Sequence, residues 1–285
     1  MTPTGTLPKK EREGVTSQKP EIVRRMASAI VLAAVALGAT IFSPWTFLIL
    51  VMAGGVIVAW EWGRLTRGNG FDGTAVVTGV SVAAVAVFVS FGSPDLALFV
   101  FTAACIAIGL TAATGLAGWS LAGLAYAALP AFALVWLRSD PSLGATAVLY
   151  LFAVAWTTDT ASYAAGRLIG GPKLALRISP KKTWSGFIIG ALAPAVVGYA
   201  FAVALKGTSP LKLALVSVAL ALACQMGDLV ESAVKRRFGA KDISQLVPGH
   251  GGLLDRIDGL LFAAILAGLI ALRDLANPGR GLLIW

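Results

Sequence analysis

Long apolar runs recur along almost the whole chain, broken by short polar clusters. Each run is near the ~20 residues that a helix needs to cross a bilayer. Nine membrane-spanning helices are predicted, over 27–43, 44–60, 74–92, 95–113, 115–137, 143–165, 183–205, 211–230 and 253–272. Ser43-Pro44 alone divides the first two, which reads as a tight hairpin or a re-entrant pair. Gly92-Ser93-Pro94-Asp95 is a turn signal between the third and fourth. Residues 1–25 are polar and rich in Pro, Gly and charge, and read as a disordered cytoplasmic tail without a cleavable signal. The predicted fold is an all-α integral membrane protein, with N-terminal transmembrane helices in 26–142 and a C-terminal transmembrane region in 143–285.

Composition supports this. Of the 285 residues, 57% are hydrophobic and 13% charged, too few charges to cover a soluble domain of this size. That excludes a cytosolic enzyme, a secreted disulfide scaffold and a nucleic-acid-binding domain. The net charge of +9 is then a property of membrane loops or of attraction to anionic lipid and nucleotide phosphates. With the N-terminus inside and nine spans, 18 of the 23 Lys and Arg residues fall inside and 5 outside, so N-in/C-out is expected. Both long polar loops, 166–182 and 231–252, then face the cytoplasm. Cys105 and Cys224 sit in apolar runs as structural thiols, and His250 is the single histidine, which excludes any mechanism needing several.

Acidic residues at membrane depth are costly and point to function. Asp159 lies inside the sixth span, with Thr158, Ser162 and Tyr163 within one turn. Asp228 and Glu231, spaced i, i+3, share a helix face at the end of the eighth span, and Asp255 and Asp258 repeat the spacing at the start of the ninth. One loop joins these two ends, so the four carboxylates can converge. They would repel one another without a cation, and hard oxygen ligands suit Mg²⁺, which takes one or two carboxylates plus substrate phosphates. The structural alternative is a set of ion pairs to Arg236, Arg237 and Arg256.

The joining loop opens with Lys235-Arg236-Arg237 and closes with Pro248-Gly249-His250-Gly251-Gly252, a cationic cluster followed by exposed backbone N–H groups suited to phosphate. Ser179-Pro180-Lys181-Lys182-Thr183 precedes the seventh span, where cations and hydroxyls at a helix start favour an anion or serve as an interfacial anchor.

The segment Ser232–Asp258 resembles the signature of the phosphatidate cytidylyltransferases (CDP-diglyceride synthases). It matches at Ser232, Lys235, Arg236, Lys241, Asp242, Ser244, Pro248, His250, Gly251, Gly252, Asp255, Arg256 and Asp258, thirteen positions over 27 residues. The stretches Gln225–Ser232, Ile178–Gly186 and Asp159–Arg167 are similar to further motifs of that family, so the resemblance covers 156–260. Ser185 departs from it where many members carry Glu, and Val247 and Ser162 are minor departures.

The resemblance implies transfer of a cytidylyl group from CTP to phosphatidate, giving CDP-diacylglycerol and pyrophosphate at a polar funnel on the cytoplasmic side of a bacterial-type inner membrane. It implies Mg²⁺, with room for a second cation, on Asp228 and Asp255, assisted by Glu231 and Asp258. Lys235, Arg236, Lys241 and Arg256 would bind the triphosphate. Ser179, Lys181, Lys182 and Thr183 would hold a phosphate, His250 would position phosphate or cytidine, and Asp159 would line the cavity. CTP, phosphatidate, membrane lipids and a second copy of the chain are the expected partners. An ion-coupled transporter, a cytidylyltransferase for another lipid phosphate, and a CDP-alcohol phosphotransferase reading of Asp72-Gly73-Thr74-Ala75 are the alternatives weighed.

Overall fold

The computed structural model describes residues 27–112, 115–246 and 251–285. The expected tail and the loop tip with His250 lie outside the described residues. The first helices are α1 (Ala27–Phe42), α2 (Pro44–Arg67), α3 (Gly73–Ser90), α4 (Pro94–Thr111) and α5 (Ala117–Arg138). They are followed by α6 (Gly144–Leu168), strands β1 (Lys173–Ala175) and β2 (Ser179–Thr183), and α7 (Trp184–Leu192). The chain continues with α8 (Pro194–Leu205), α9 (Pro210–Arg237), α10 (Leu254–Ala271) and α11 (Pro278–Leu283). The protein is a helical membrane protein with one small addition. The stretch expected to lead straight into the seventh span forms an antiparallel β-hairpin, with Lys173 opposite Thr183 and Ala175 opposite Ser179.

Among the described residues, six spans are long and apolar enough to cross a membrane: α2, α3, α4, α5, α7 with α8 as Trp184–Leu205, and α9. The other three expected spans fall on α1, a shorter apolar helix, and on α6 and α10, which carry the polar residues of interest. Pro194, which has no N–H to give, marks the join between α7 and α8. Helix α9 has 28 residues, about 42 Å at 1.5 Å per residue, which exceeds the ~30 Å apolar thickness of a bilayer. Its last turns therefore carry Glu231, Lys235, Arg236 and Arg237 beyond the limit of 230 expected for that span.

The core lies where the two halves meet. Helix α5 is 67% buried over its apolar window and packs on α2, α3 and α10, whereas α4, 17% buried, forms an outer face. Helix α10 packs along α9, and α6 along α7, α8 and α9. The Trp62 indole donates to the Trp119 carbonyl at 2.8 Å, and its ring fills the space that Gly123 leaves open.

Asp72-Gly73 is explained by local structure. Asp72 caps α3 by accepting from the Ala75 N–H at 2.8 Å and pairs with Arg67.

Asp140 ties the two ends of the C-terminal half together. It accepts from the N–H groups of Ser142 at 2.8 Å, Leu143 at 2.9 Å and Arg280 at 3.0 Å, the last at the start of α11. Burial pushes the Asp140 carboxyl up, but the Leu143, Ser142 and Arg280 donors outweigh it and hold the group below the usual carboxylate range. A lowered folded value means that its contribution is complete above the ordinary Asp value of about 3.9 and fades as pH falls through the folded value. Asp140→Ala is therefore expected to lose about 1–3 kcal/mol at pH 7. Thermal unfolding in detergent should show that gap to the unsubstituted protein closing as pH falls below the ordinary Asp value.

Candidate active site

Helices α9 and α10 run antiparallel at unusually close range. A Cβ on Gly227 would lie 2.5 Å from the Asp258 carbonyl oxygen, so only glycine fits there. Further along, Lys235 of α9 reaches Asp255 of α10. Antiparallel pairing of two i, i+3 carboxylate sets crosses them: Asp228 stands beside Asp258, and Glu231 beside Asp255. Asp228 and Asp255, expected to act as one ligand pair, thus belong to two adjacent pairs on the same seam.

Each pair has its own cation. Lys235 Nζ lies 2.8 Å from Asp255 Oδ1 and 2.7 Å from Glu231 Oε1. Glu231 Oε1 is buried and ion-paired to Lys235 within one face of α9. Asp255 Oδ2 also accepts from the Gly252 N–H at 2.8 Å and the Ile243 N–H at 3.4 Å, which folds the loop back onto α10. Asp228 Oδ2 accepts from Lys182 Nζ of β2 at 2.8 Å. The structural alternative named Arg236 and Arg237 as partners of these carboxylates, and the ion pairs found here are with Lys182 and Lys235.

Two cavities meet beside this seam. The first, about 370 Å³, is polar and lies under the hairpin, walled by Ser162, Arg167, Lys181, Lys182, Gln225 and Asp228 among others. The second, about 310 Å³, is apolar and runs between α1, α2, α5, α6 and α10, with Arg256 at its polar end. Asp159 lines both. It is within electrostatic reach of Asp228, Lys182 and Arg256.

Of the expected site residues, Asp159, Lys181, Lys182, Thr183 and Asp228 wall the polar cavity, and Arg256 faces the apolar one. Glu231, Lys235, Asp255 and Asp258 form the adjoining seam. Thr183 has a structural duty as well, capping α7 by accepting from the Gly186 N–H at 3.2 Å. Ser179 sits opposite Ala175 in the hairpin, and Arg236 donates to the carbonyls of Ile178 at 3.3 Å and Ala240 at 3.5 Å, bracing hairpin and loop. Lys241 is exposed on the loop; neither it, Ser179 nor Arg236 lines either cavity. Ser185, the departure from the family pattern, hydrogen-bonds the Gly170 carbonyl and fastens the hairpin to the end of α6.

Glu61 was not among the expected residues. It is fully buried on α2 and accepts from the Ser244 hydroxyl and the N–H groups of Leu253 at 3.0 Å and Leu254 at 2.7 Å. Two free N–H groups of the α10 N-terminus are thereby satisfied from the N-terminal half of the chain. The signal was present as a lone acid between Trp60 and Trp62. The span expected to end at 60 left it in a loop, whereas α2 continues to Arg67.

The donor set suits a hard cation. All four carboxylates offer oxygen, and they line one seam between α9 and α10. No three His, Cys, Asp or Glu among the described residues form a metal cage.

Residues 23–272 match the model of the cytidylyltransferase family. The chain is 40% identical over 244 residues to a phosphatidate cytidylyltransferase of Brucella suis, covering 85% of this chain and 90% of that one. It is 37% identical over 158 residues to a phosphatidate cytidylyltransferase of Staphylococcus saprophyticus, covering 55% and 60%. A Mycobacterium leprae enzyme of the same name is 43% identical over 127 residues, covering 45% and 41%. With a family match and a relative aligned over nearly the whole length, the antiparallel carboxylate seam and its two cavities belong to a member of the cytidylyltransferase family.

Proposed function

We propose that the protein is a phosphatidate cytidylyltransferase, converting CTP and phosphatidate to CDP-diacylglycerol and pyrophosphate. The observation that carries this is the junction at Asp159. A polar cavity rich in cations and an apolar cavity share one wall residue, which suits one polyanionic and one lipid substrate. The name borne by its relatives agrees.

In this reading CTP enters the polar cavity from the cytoplasm, with its triphosphate toward Lys181, Lys182 and Arg167. The lipid lies with a chain in the apolar cavity and its phosphate at Arg256 and Asp159. The lipid phosphomonoester, with a second pKa near ~6, is mostly dianionic and already nucleophilic, so the chain need not supply a base. One of its oxygens attacks the α-phosphorus of CTP. The bond from that phosphorus to the oxygen bridging the β-phosphate breaks, and pyrophosphate leaves with the electron pair.

Lys182 has a second partner once triphosphate arrives, and its transfer from Asp228 to phosphate exposes that carboxylate. Lys235 already bridges Glu231 and Asp255, so Asp228 and Asp258 are the pair that would hold Mg²⁺, with Glu231 and Asp255 in support. Mg²⁺ there would supply charge neutralisation of the triphosphate and of the leaving pyrophosphate. The bias of Lys and Arg supports a cytoplasmic face for the hairpin and for the loop between α9 and α10.

The test is purified protein in mixed micelles with CTP, Mg²⁺ and phosphatidate. Release of pyrophosphate in equal amount to CDP-lipid, and only with phosphatidate present, is expected. CTP-independent ion flux through reconstituted vesicles without nucleotidyl transfer would instead point to a transporter.

A further inference from the structure

Midway along α2 stand two adjacent glycines, Gly54 and Gly55. Glycine inside a helix is unfavourable relative to alanine, so each needs a reason. Gly55 has one: a Cβ there would meet Val82 of α3 at 2.4 Å, and the two helices could not pack as they do. Gly54 has none of that kind, because a Cβ there would meet nothing within 4 Å. What lies in front of it is the apolar cavity. Gly54 shares that face with Leu50 and Val58, one turn away on either side, and the opposing wall is built of small residues such as Ala33, Ala127 and Ala131. The cavity ends at Asp159 and Arg256, the polar junction where the lipid phosphate is placed under the proposed function.

We propose that Gly54 determines how much acyl chain the enzyme accepts, by leaving open the wall of the apolar cavity along which one chain of the lipid phosphate lies. This rests on the phosphatidate reading above. A Cβ at position 54 projects into the cavity with no protein atom within 4 Å, so a side chain there competes with the lipid for space while the α2–α3 packing at Gly55 is kept. The effect belongs to the lipid alone: CTP approaches from the other cavity.

The test compares the unsubstituted protein with Gly54→Ala and Gly54→Leu, using dihexanoyl- and dipalmitoyl-phosphatidate at saturating CTP and Mg²⁺. For Gly54→Leu, kcat/KM for the long-chain lipid should fall about tenfold, while the short-chain value stays within about twofold. Gly54→Ala, which adds one methyl to open space and favours the helix, should fall between, and it carries the ordering if the Leu variant does not accumulate. The KM for CTP should be the same in all three. Equal losses on both lipids, or no loss on either, would overturn the inference while leaving the activity in place. Failure of the unsubstituted protein to transfer cytidylyl to either lipid would overturn the inference together with the reading on which it rests.

Discussion

Replacing Asp228 with Asn is expected to lower kcat/KM by about 100- to 1000-fold, the scale on which loss of one preorganised electrostatic group acts, while the protein stays folded and inserted. The side chain is 26% exposed and its ion pair to Lys182 joins two elements already held by the hairpin and by α9 packing, so little stability depends on it. What changes is the charge. The Asn amide cannot neutralise Lys182 in the empty site, nor hold a cation beside Asp258 when triphosphate takes that lysine. Activity in the variant should also lose its steep dependence on Mg²⁺ concentration. Asp255→Asn should impair turnover by another route. It frees Lys235 from one of its two carboxylates and weakens the bonds from Gly252 and Ile243. That variant should therefore lose thermal stability as well as rate, and Asp228→Asn should lose rate alone. Initial rates beside detergent melting curves separate the two, and near-normal turnover by Asp228→Asn would refute its role at the phosphates.

The second large effect is expected at Glu61. Glu61→Ala leaves the N–H groups of Leu253 and Leu254 and the Ser244 hydroxyl without their acceptor in a buried place. At about 1–3 kcal/mol for each unsatisfied buried group, a loss of about 3–9 kcal/mol follows. The damage is specific in location. The N-terminus of α10 and the loop before it loosen, so protease cleavage between residues 241 and 252 should accelerate and cytidylyl transfer should fall with it. Glu61→Gln keeps one oxygen acceptor and should fall between. Stability within about 0.5 kcal/mol of the unsubstituted protein, the range of a neutral surface change, would show that Glu61 does not hold the loop.

The helices were legible in the sequence because lipid leaves the backbone few choices. Apolar runs near the right length coincide with helices throughout the described residues, and Ser43, Pro44, Pro94 and Pro210 sit at their starts. The hairpin was not legible. Its strands are three and five residues long, and Ser179-Pro180-Lys181-Lys182 carries no alternating pattern. The carboxylates were legible through their i, i+3 spacing and the family motif. Their crossed pairing was not, because it follows from the direction of α10 and from Gly227, whose missing side chain sets how closely the helices approach. The lysine partners were hidden for a different reason. Lys182 and Asp228 are 46 residues apart, and a list of nearby cations points first to the arginines next in sequence. Glu61 was legible by the same cost argument that singled out Asp159, once the span is allowed to run on to Arg67.

The most direct measurement is a structure solved with a non-reactive CTP analogue and phosphatidate bound together. The account predicts the triphosphate against Lys181 and Lys182 in the cavity beneath the hairpin, Asp228 released from Lys182, and the lipid phosphate at Asp159 with a chain running past Gly54. A nucleotide seated away from the α9–α10 seam, or a lipid phosphate that does not reach Asp159, would contradict it.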